Sequence, residues 1–115
     1  MNHKIVAIVL AAGRGKRMES TIPKQYLLLQ DKPVLYYTLK AFEDSKVDEI
    51  ILVVGHDQVE YCRENIIHKY NFKKISKIIE GGDERYHSVY NGLKAISNAK
   101  YVLIHDGARP FISLE

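Results

Sequence analysis

An unbroken apolar run, residues 5–10 (IVAIVL), leads directly into a loop of small and cationic residues near the start of the chain. Such a run, without alternating polar residues, is typical of a strand buried on both faces of a parallel sheet. The loop and the segment after it contain the small residues Ala11, Ala12, Gly13 and Gly15 and the cations Arg14, Lys16, Arg17 and Lys24. Small residues allow a ligand to approach backbone N–H groups, and the cations attract negative charge. The sequence therefore predicts a buried strand that ends in a polyphosphate-binding loop.

Two well-known phosphate-binding loops do not match this segment. The dinucleotide-binding pattern G-x-G-x-x-G requires a third glycine where Met18 stands. A Walker loop that ends at Gly15-Lys16 requires glycine at position 10 and serine or threonine at position 17, but the chain has Leu10 and Arg17 there. The loop therefore belongs to neither class.

Strand and helix patterns alternate along the rest of the chain. Apolar runs rich in β-branched residues predict further strands at residues 47–54, 75–79 and 101–104. Apolar residues at helical spacing predict helices at residues 32–42, 57–68 and 88–96. In the first helix, Pro33 lies near the start and Asp31 is the expected cap. This alternation predicts an α/β fold with parallel strands and right-handed crossovers.

The order of the strands decides which loops meet. If the chain winds outward through the first three strands and then returns beside the first, the order is 3-2-1-4, and a crevice opens where strands one and four end. The Ala11-Ala12-Gly13 loop and the segment 105–109 (HDGAR) would then face one cavity. In this arrangement strand four is an edge strand, although its apolar pattern on both faces favours an interior position.

Composition narrows the class of protein. The chain has 115 residues, enough for one domain, and a formal net charge of +3 that is not concentrated on one long basic face. This favours an anionic small molecule as ligand over nucleic acid. The only cysteine, Cys62, excludes an internal disulfide, is interpreted as a packing residue and agrees with a cytoplasmic location. We expect neither a signal peptide nor a membrane span.

Two motifs carry a family resemblance. The pattern A-A-G-x-G-x-R-M at residues 11–18, followed by Pro23-Lys24, resembles the signature loop of the sugar and alcohol-phosphate nucleotidyltransferases. The continuation Pro23-Lys24-Gln25-Tyr26 is most similar to the 2-C-methyl-D-erythritol 4-phosphate cytidylyltransferases of the non-mevalonate isoprenoid pathway. A second match, G-G-D-x-R-x-x-S-V-x-x-G-L at residues 81–93, distinguishes these cytidylyltransferases from the wider group.

The resemblance implies an architecture and a reaction. It implies a three-layer, Rossmann-like nucleotidyltransferase fold, of which residues 1–115 are the N-terminal, nucleotide-binding half. The absent C-terminal half would supply acceptor contacts, a further metal-binding aspartate and an arm for homodimerisation. The implied reaction transfers a cytidylyl group from CTP to 2-C-methyl-D-erythritol 4-phosphate and releases pyrophosphate. The fragment alone is expected to be inactive.

The resemblance also assigns roles to individual residues. Arg17 and Lys24 would be catalytic and stabilise the charge on the α-phosphate, while Asp106 would bind Mg²⁺. The nucleotide would be bound by Ala11, Ala12, Gly13, Gly15, Gly82, Asp83, Ser88, Gly107 and Arg109. From its position near the start of a helix, Ser88 is also a candidate helix cap. Relatives commonly have alanine at the position of Gly107, which is a small-for-small exchange.

The sequence alone leaves alternative functions open. Ribitol 5-phosphate is the alternative acceptor within the same chemistry, because the acceptor contacts belong to the absent half. A non-catalytic nucleotide-binding module would use the same loops without turnover. A basic nucleic-acid-binding protein is the third class, and it predicts tight, salt-dependent binding of oligonucleotides.

Overall fold

The computed structural model describes residues 4–12, 28–29 and 31–107. Its strands are β1 (Ile5–Ala11), β2 (Leu28–Leu29), β3 (Lys32–Pro33), β4 (Glu49–Val54), β5 (Ile75–Glu80) and β6 (Tyr101–Asp106). Its helices are α1 (Val34–Glu43), α2 (Val59–Cys62), which continues as a π-helical segment (Arg63–His68), and α3 (Arg85–Lys94). Strands and helices thus alternate as the sequence predicts, within a residue or two at most strand ends.

The main sheet has four parallel strands in the order β5-β4-β1-β6. The chain winds outward from β1 through β4 to β5 and then returns to place β6 on the other side of β1. This is the predicted order of the four sheet strands, and the labels differ because β2 and β3 precede β4 in the chain. Strands β2 and β3 form an antiparallel hairpin of their own, which the sequence analysis did not predict.

Helices cover both faces of the sheet, so the fold has three layers. On one face, Ala7 and Val9 of β1 share a core cluster with Leu35 and Leu39 of α1 and with Ile66 of the π-helical segment. On the other face, alternate residues of β1 and β4 pack against α3 and the segment after it, with Ile8, Val53, Val89 and Ile96 in one cluster. Because β1 and β4 lie between these layers, both strands are apolar on both sides. The predicted fold class is therefore confirmed.

Helix α1 begins later than predicted. Pro33 is the residue before its first turn and offers no side-chain cap, and Asp31 is not the cap. Lys32 and Pro33 pair with the preceding strand instead of entering the helix. Asp31 consequently lies in the turn of the hairpin, where its φ of 72° is left-handed. Aspartate tolerates this region better than most residues, which explains its presence in the turn.

Helix α3 begins earlier than predicted, at Arg85, with Glu84 as the residue before it. Ser88 is therefore in the fourth position of the helix, and the prediction that it caps the helix is wrong. Its hydroxyl accepts a hydrogen bond from the backbone N–H of Gly82 at 3.2 Å. The side chain thus stabilises the preceding loop and not the helix terminus.

Strand β6 is exposed on both faces over its first four residues. Tyr101, Val102, Leu103 and Ile104 have 57%, 37%, 42% and 40% of their surface exposed. The apolar pattern of β6 favours an interior position in the sheet, but among the described residues β6 is an outer strand. Only the end of the strand is enclosed, where the ring of His105 packs edge-on against Phe42 with centroids 5.8 Å apart. His105 therefore contributes its ring to packing against α1.

Candidate functional site

The ends of β1 and β6 lie side by side at the carboxyl edge of the sheet. Leu10 is paired with Asp106 in the register of the two strands, and the N–H of Gly107 donates to the carbonyl of Leu10 at 2.7 Å. A Cβ atom on Gly107 would lie 3.4 Å from the Cβ of Ala11. The structure therefore brings Ala11, Asp106 and Gly107 together at one edge, as the predicted strand order requires.

The turn that follows Asp106 is held by α1. The buried hydroxyl of Thr38 donates a hydrogen bond to the carbonyl of Gly107 at 3.2 Å. A Cβ on Gly107 would lie 2.7 Å from Cδ1 of Leu35, so an alanine requires that side chain to move. Strand pairing on one side and Thr38 on the other fix the backbone that carries Asp106.

A second loop reaches the same edge from β5. The N–H of Gly81 donates to the carbonyl of Val54 at 2.7 Å. A Cβ on Gly81 would lie 2.5 Å from the Cβ of Ala12 and 2.4 Å from Oγ of Ser88. Any side chain larger than hydrogen would therefore separate the segment after β1 from α3. The close approach of Ala12 joins the two loops that the sequence analysis assigned to the nucleotide.

The neighbouring residues of this loop have contrasting environments. A Cβ on Gly82 would lie 2.3 Å from the Cβ of His87, so the absence of a side chain there is also required by local packing. Ser88 is buried, with 3% of its surface exposed, whereas Asp83 is exposed. The loop thus presents an accessible carboxylate and is anchored to a buried hydroxyl of α3. Their roles toward a nucleotide remain predictions.

An ion pair that the sequence did not predict spans the site. Nε of Arg85, the first residue of α3, lies 3.4 Å from Oδ1 of Asp106, the last residue of β6. The two side chains are 63% and 40% exposed. Arg85 belongs to the second sequence motif, but its partner is distant in the chain, and only the return of β6 beside β1 brings it near.

Five predicted site residues lie outside the described part of the chain: Arg17, Lys24, Gly13, Gly15 and Arg109. Both residues predicted to be catalytic are among them. The structure consequently locates the predicted metal ligand and six of the nine residues in the predicted nucleotide-binding set, and the assignments of the five residues outside it stay predictions.

The donor set at this edge suits a magnesium ion held jointly with a nucleotide. Within residues 4–12, 28–29 and 31–107, no group of three His, Cys, Asp or Glu side chains is placed to hold a metal. Asp106 offers a hard oxygen donor at the mouth of the site. Mg²⁺ is usually bound by one or two carboxylates together with substrate phosphates and water. Asp106 therefore fits this mode of binding.

Comparisons with known proteins identify relatives of this chain. A protein from Lachnoclostridium phytofermentans named 2-C-methyl-D-erythritol 4-phosphate cytidylyltransferase is 62% identical over 109 residues, which are 95% of this chain and 47% of that protein. A relative of the same name from Lachnospira eligens is 60% identical over 108 residues, 93% of this chain and 47% of that protein. The chain thus spans about half the length of the curated relatives it matches.

A solved structure and a family model extend the agreement. The crystal structure of 4-diphosphocytidyl-2C-methyl-D-erythritol synthase from Anaerococcus prevotii superposes with a TM-score of 0.78 at 37% identity, over 96% of this chain and 46% of that one. Among the described residues, none of the helices has the length and hydropathy needed to cross a membrane. The family model for 2-C-methyl-D-erythritol 4-phosphate cytidylyltransferase matches residues 5–115. The chain therefore belongs to the 2-C-methyl-D-erythritol 4-phosphate cytidylyltransferase family.

Proposed function

We propose that the protein containing this chain transfers a cytidylyl group from CTP to 2-C-methyl-D-erythritol 4-phosphate and releases pyrophosphate. The chain supplies the nucleotide-binding half of the site. The observation that carries the proposal is the meeting of three segments at the carboxyl edge of the sheet, namely Ala11-Ala12, Gly81-Gly82 and Asp106-Gly107. The names of the relatives and the family match support the choice of reaction.

The reaction is an in-line displacement at the α-phosphorus of CTP. An oxygen of the acceptor phosphate forms a bond to this phosphorus, while the bond to the oxygen that bridges to the β-phosphate breaks and pyrophosphate leaves. A phosphate monoester has a second pKa near 6, so the nucleophile is already largely dianionic at neutral pH. Catalysis then depends on positioning and on stabilisation of negative charge, not on a general base.

Cations of the first loop supply that stabilisation in this proposal. The planar guanidinium of Arg17 holds two phosphate oxygens, and Lys24 acts as a movable point charge on the α-phosphate. Both assignments rest on the motif at residues 11–18 and on Pro23-Lys24. The backbone of Ala11, Ala12, Gly13 and Gly15 surrounds the phosphates.

The cytosine is read by the loop between β5 and α3. Asp83 is exposed and accepts a hydrogen bond from the amino group of the base, while Gly82 allows the main chain to approach its plane. Ser88 orders this loop through its hydrogen bond with Gly82. The close packing of Gly81 against Ala12 supports base recognition next to phosphate recognition, because a Cβ on Gly81 would lie only 2.5 Å from the Cβ of Ala12.

A divalent cation, Mg²⁺, is the proposed cofactor, with Asp106 as its ligand from this half, and Gly107 and Arg109 are proposed to bind the nucleotide. When bound, the ion offsets charge on the triphosphate. Asp106 is suited to hold it because the backbone on both sides of this residue is tied to β1 and α1.

We also propose a cytoplasmic homodimer that acts on these small molecules and binds neither nucleic acid nor membranes. The substrate CTP and the single cysteine favour the cytoplasm. The mild net charge of +3 disfavours nucleic acid as a partner. Dimerisation follows from the family resemblance alone and would use the second half of the protein.

The test is calorimetric titration of the full-length protein with CTP, combined with an assay of pyrophosphate release. We expect CTP binding that requires Mg²⁺, that is lost in Asp106→Ala and that exceeds binding of AMP. Turnover with 2-C-methyl-D-erythritol 4-phosphate should exceed turnover with ribitol 5-phosphate, and the reverse ranking would assign the alternative acceptor. Equal affinity for CTP and AMP without turnover would overturn the proposal in favour of a non-catalytic nucleotide-binding module.

A further inference from the structure

We propose that Arg85 competes with a divalent cation for the metal-binding carboxylate and is a group that the cation must displace from Asp106. This inference rests on the proposed role of Asp106 as the metal ligand. Its structural basis is the ion pair between Nε of Arg85 and Oδ1 of Asp106, at 3.4 Å. Arg85 thereby connects the loop assigned to the base with the carboxylate assigned to the metal.

The two partners stand on firmly held backbone. Asp106 is followed by Gly107, whose N–H and carbonyl are bonded to Leu10 and Thr38. Arg85 opens α3, where the N–H groups of His87 and Ser88 donate to Glu84 at 3.0 and 3.2 Å. Since both backbones are held by hydrogen bonds, rotation of the two side chains is sufficient to form or separate the pair.

The pair is well suited to exchange. Its distance of 3.4 Å is longer than the usual charge-assisted hydrogen bond, and both side chains are substantially exposed. Exposed ion pairs of this kind contribute little to stability, so the contact gives way readily to a stronger partner. A divalent cation carries twice the charge of the guanidinium and competes for the same carboxylate of Asp106.

The ion pair between Arg85 and Asp106 links cation binding to the charge near the loop that carries Gly82 and Asp83. Without a cation, Arg85 offsets the charge of Asp106 and holds its carboxylate at the mouth of the site. When a cation binds Asp106, the guanidinium is released next to the loop that carries Gly82 and Asp83. The cation therefore changes the charge presented by the base-recognition loop, although the backbone stays in place.

The experiment measures Mn²⁺ binding to the full-length protein without nucleotide, from the electron paramagnetic resonance signal of the free ion. Arg85→Gln should tighten Mn²⁺ binding about fivefold, because it removes a positive charge roughly 4 Å from the carboxylate. Arg85→Lys should restore affinity to near the wild-type value. Arg63→Gln is the matched control, since Arg63 is also exposed and paired, with Glu60, but lies in the segment after α2. It should leave Mn²⁺ affinity unchanged.

A second pair of variants separates this inference from the proposed function. In an Asp106→Asn background, the change Arg85→Gln should have no further effect on Mn²⁺ affinity, because its action passes through Asp106. If Asp106→Asn itself left Mn²⁺ binding unaltered, the metal assignment of the proposed function would be wrong. If Asp106→Asn weakened binding while Arg85→Gln behaved like Arg63→Gln, only the role of Arg85 would be overturned.

Discussion

Gly81 shows how a single residue without a side chain joins three segments of the site. Its backbone N–H is bonded to the end of β4, and the space that a Cβ would occupy is already filled by Ala12 and Ser88. Protein interiors are too closely packed to absorb an extra methyl group at such distances. The site therefore depends on this glycine for its shape as well as for access to a ligand.

We expect Gly81→Ala to lower the free energy of unfolding by about 1–3 kcal/mol, the usual cost of overpacking. It should also weaken CTP binding, because Ala12 and Ser88 must move apart. Urea denaturation and CTP titration of the full-length protein measure both effects. Gly55→Ala is the control, since a Cβ there meets only ordinary contacts, the nearest at 3.4 Å to a flexible Gln58 side chain. Equal losses in the two variants would contradict the packing argument.

Lys24 provides the second prediction at the scale of the residue. If the lysine stabilises charge that develops on the α-phosphate, Lys24→Ala should lower kcat much more than it lowers the affinity for CTP. Steady-state kinetics and calorimetry of the full-length enzyme separate the two quantities. Comparable losses in both would mean that Lys24 contributes only to ground-state binding.

At the scale of the element, three neighbouring strands are connected at the edge opposite the site. Nζ of Lys4, just before β1, lies 2.7 Å from Oε1 of Glu49, the first residue of β4, and Ser76 of β5 donates a hydrogen bond to the same carboxylate. These contacts, that of Lys4 first, lower the pKa of Glu49 below its ordinary value. An ion pair and a hydrogen bond thus join β1, β4 and β5 where the apolar core ends.

The lowered pKa predicts how stability depends on pH. A carboxyl whose pKa is lower in the folded state contributes stability above its unfolded value, roughly pH 4.3, and this contribution disappears as pH falls through the folded value. Lys4→Met should therefore reduce the free energy of unfolding at about pH 7 and have less effect at about pH 3. The corresponding control is Lys40→Met, which breaks only the exposed pair with Asp44. A loss from Lys4→Met that is the same at both pH values would exclude the ion pair as its cause.

The turn at Asn71, which follows the π-helical segment, carries a prediction of its own. Asn71 has a left-handed φ of 57°, and the N–H of Phe72 after it donates back to Ile67 at 3.1 Å. Most residues are strained in this conformation, whereas glycine is not. Asn71→Ala should destabilise the protein by roughly 1 kcal/mol and Asn71→Gly should not, as judged by thermal or urea denaturation. If the two variants were equally destabilised, backbone strain would not be the reason for asparagine here.

At the scale of the whole molecule, the two outer strands of the sheet, β5 and β6, each pair with only one strand among the described residues. The inner strands β1 and β4 are buried, but β6 has a free edge and exposed apolar faces in this part of the chain. An apolar edge strand is a template for pairing with another strand. The polypeptide of residues 1–115 should therefore associate in solution.

A matched pair of substitutions tests this expectation. Leu103 on β6 and Leu93 on α3 are 42% and 43% exposed. Leu103→Lys should reduce association of the 115-residue polypeptide in analytical ultracentrifugation, because a charge guards the strand edge, while Leu93→Lys should reduce it less. Equal effects would indicate general hydrophobic association, and a monomeric starting polypeptide would contradict the prediction directly.

Much of the fold followed from local pattern. Continuous apolar runs predicted the strands, apolar spacing predicted the helices, and their alternation predicted parallel pairing, because these features depend on residues close together in the chain. The starts of α1 and α3 were predicted wrongly because they depend on contacts between residues that the local pattern does not include. Pro33 pairs with a strand of the hairpin, and the hydroxyl of Ser88 bonds to the N–H of Gly82. Both contacts replace the expected roles of these residues at a helix start, and the local sequence pattern does not reveal them.

By itself, the sequence determined the layered α/β class, the small-residue loop after β1 and the presence of Asp106 at a strand end. Only the tertiary structure decided that Gly81 touches Ala12, that Thr38 holds Gly107, and that Arg85 faces Asp106. The physical reason is sequence separation. Propensity and hydrophobic periodicity act over a few residues, whereas these contacts join segments that meet only after the sheet has ordered its strands and α3 has crossed over it.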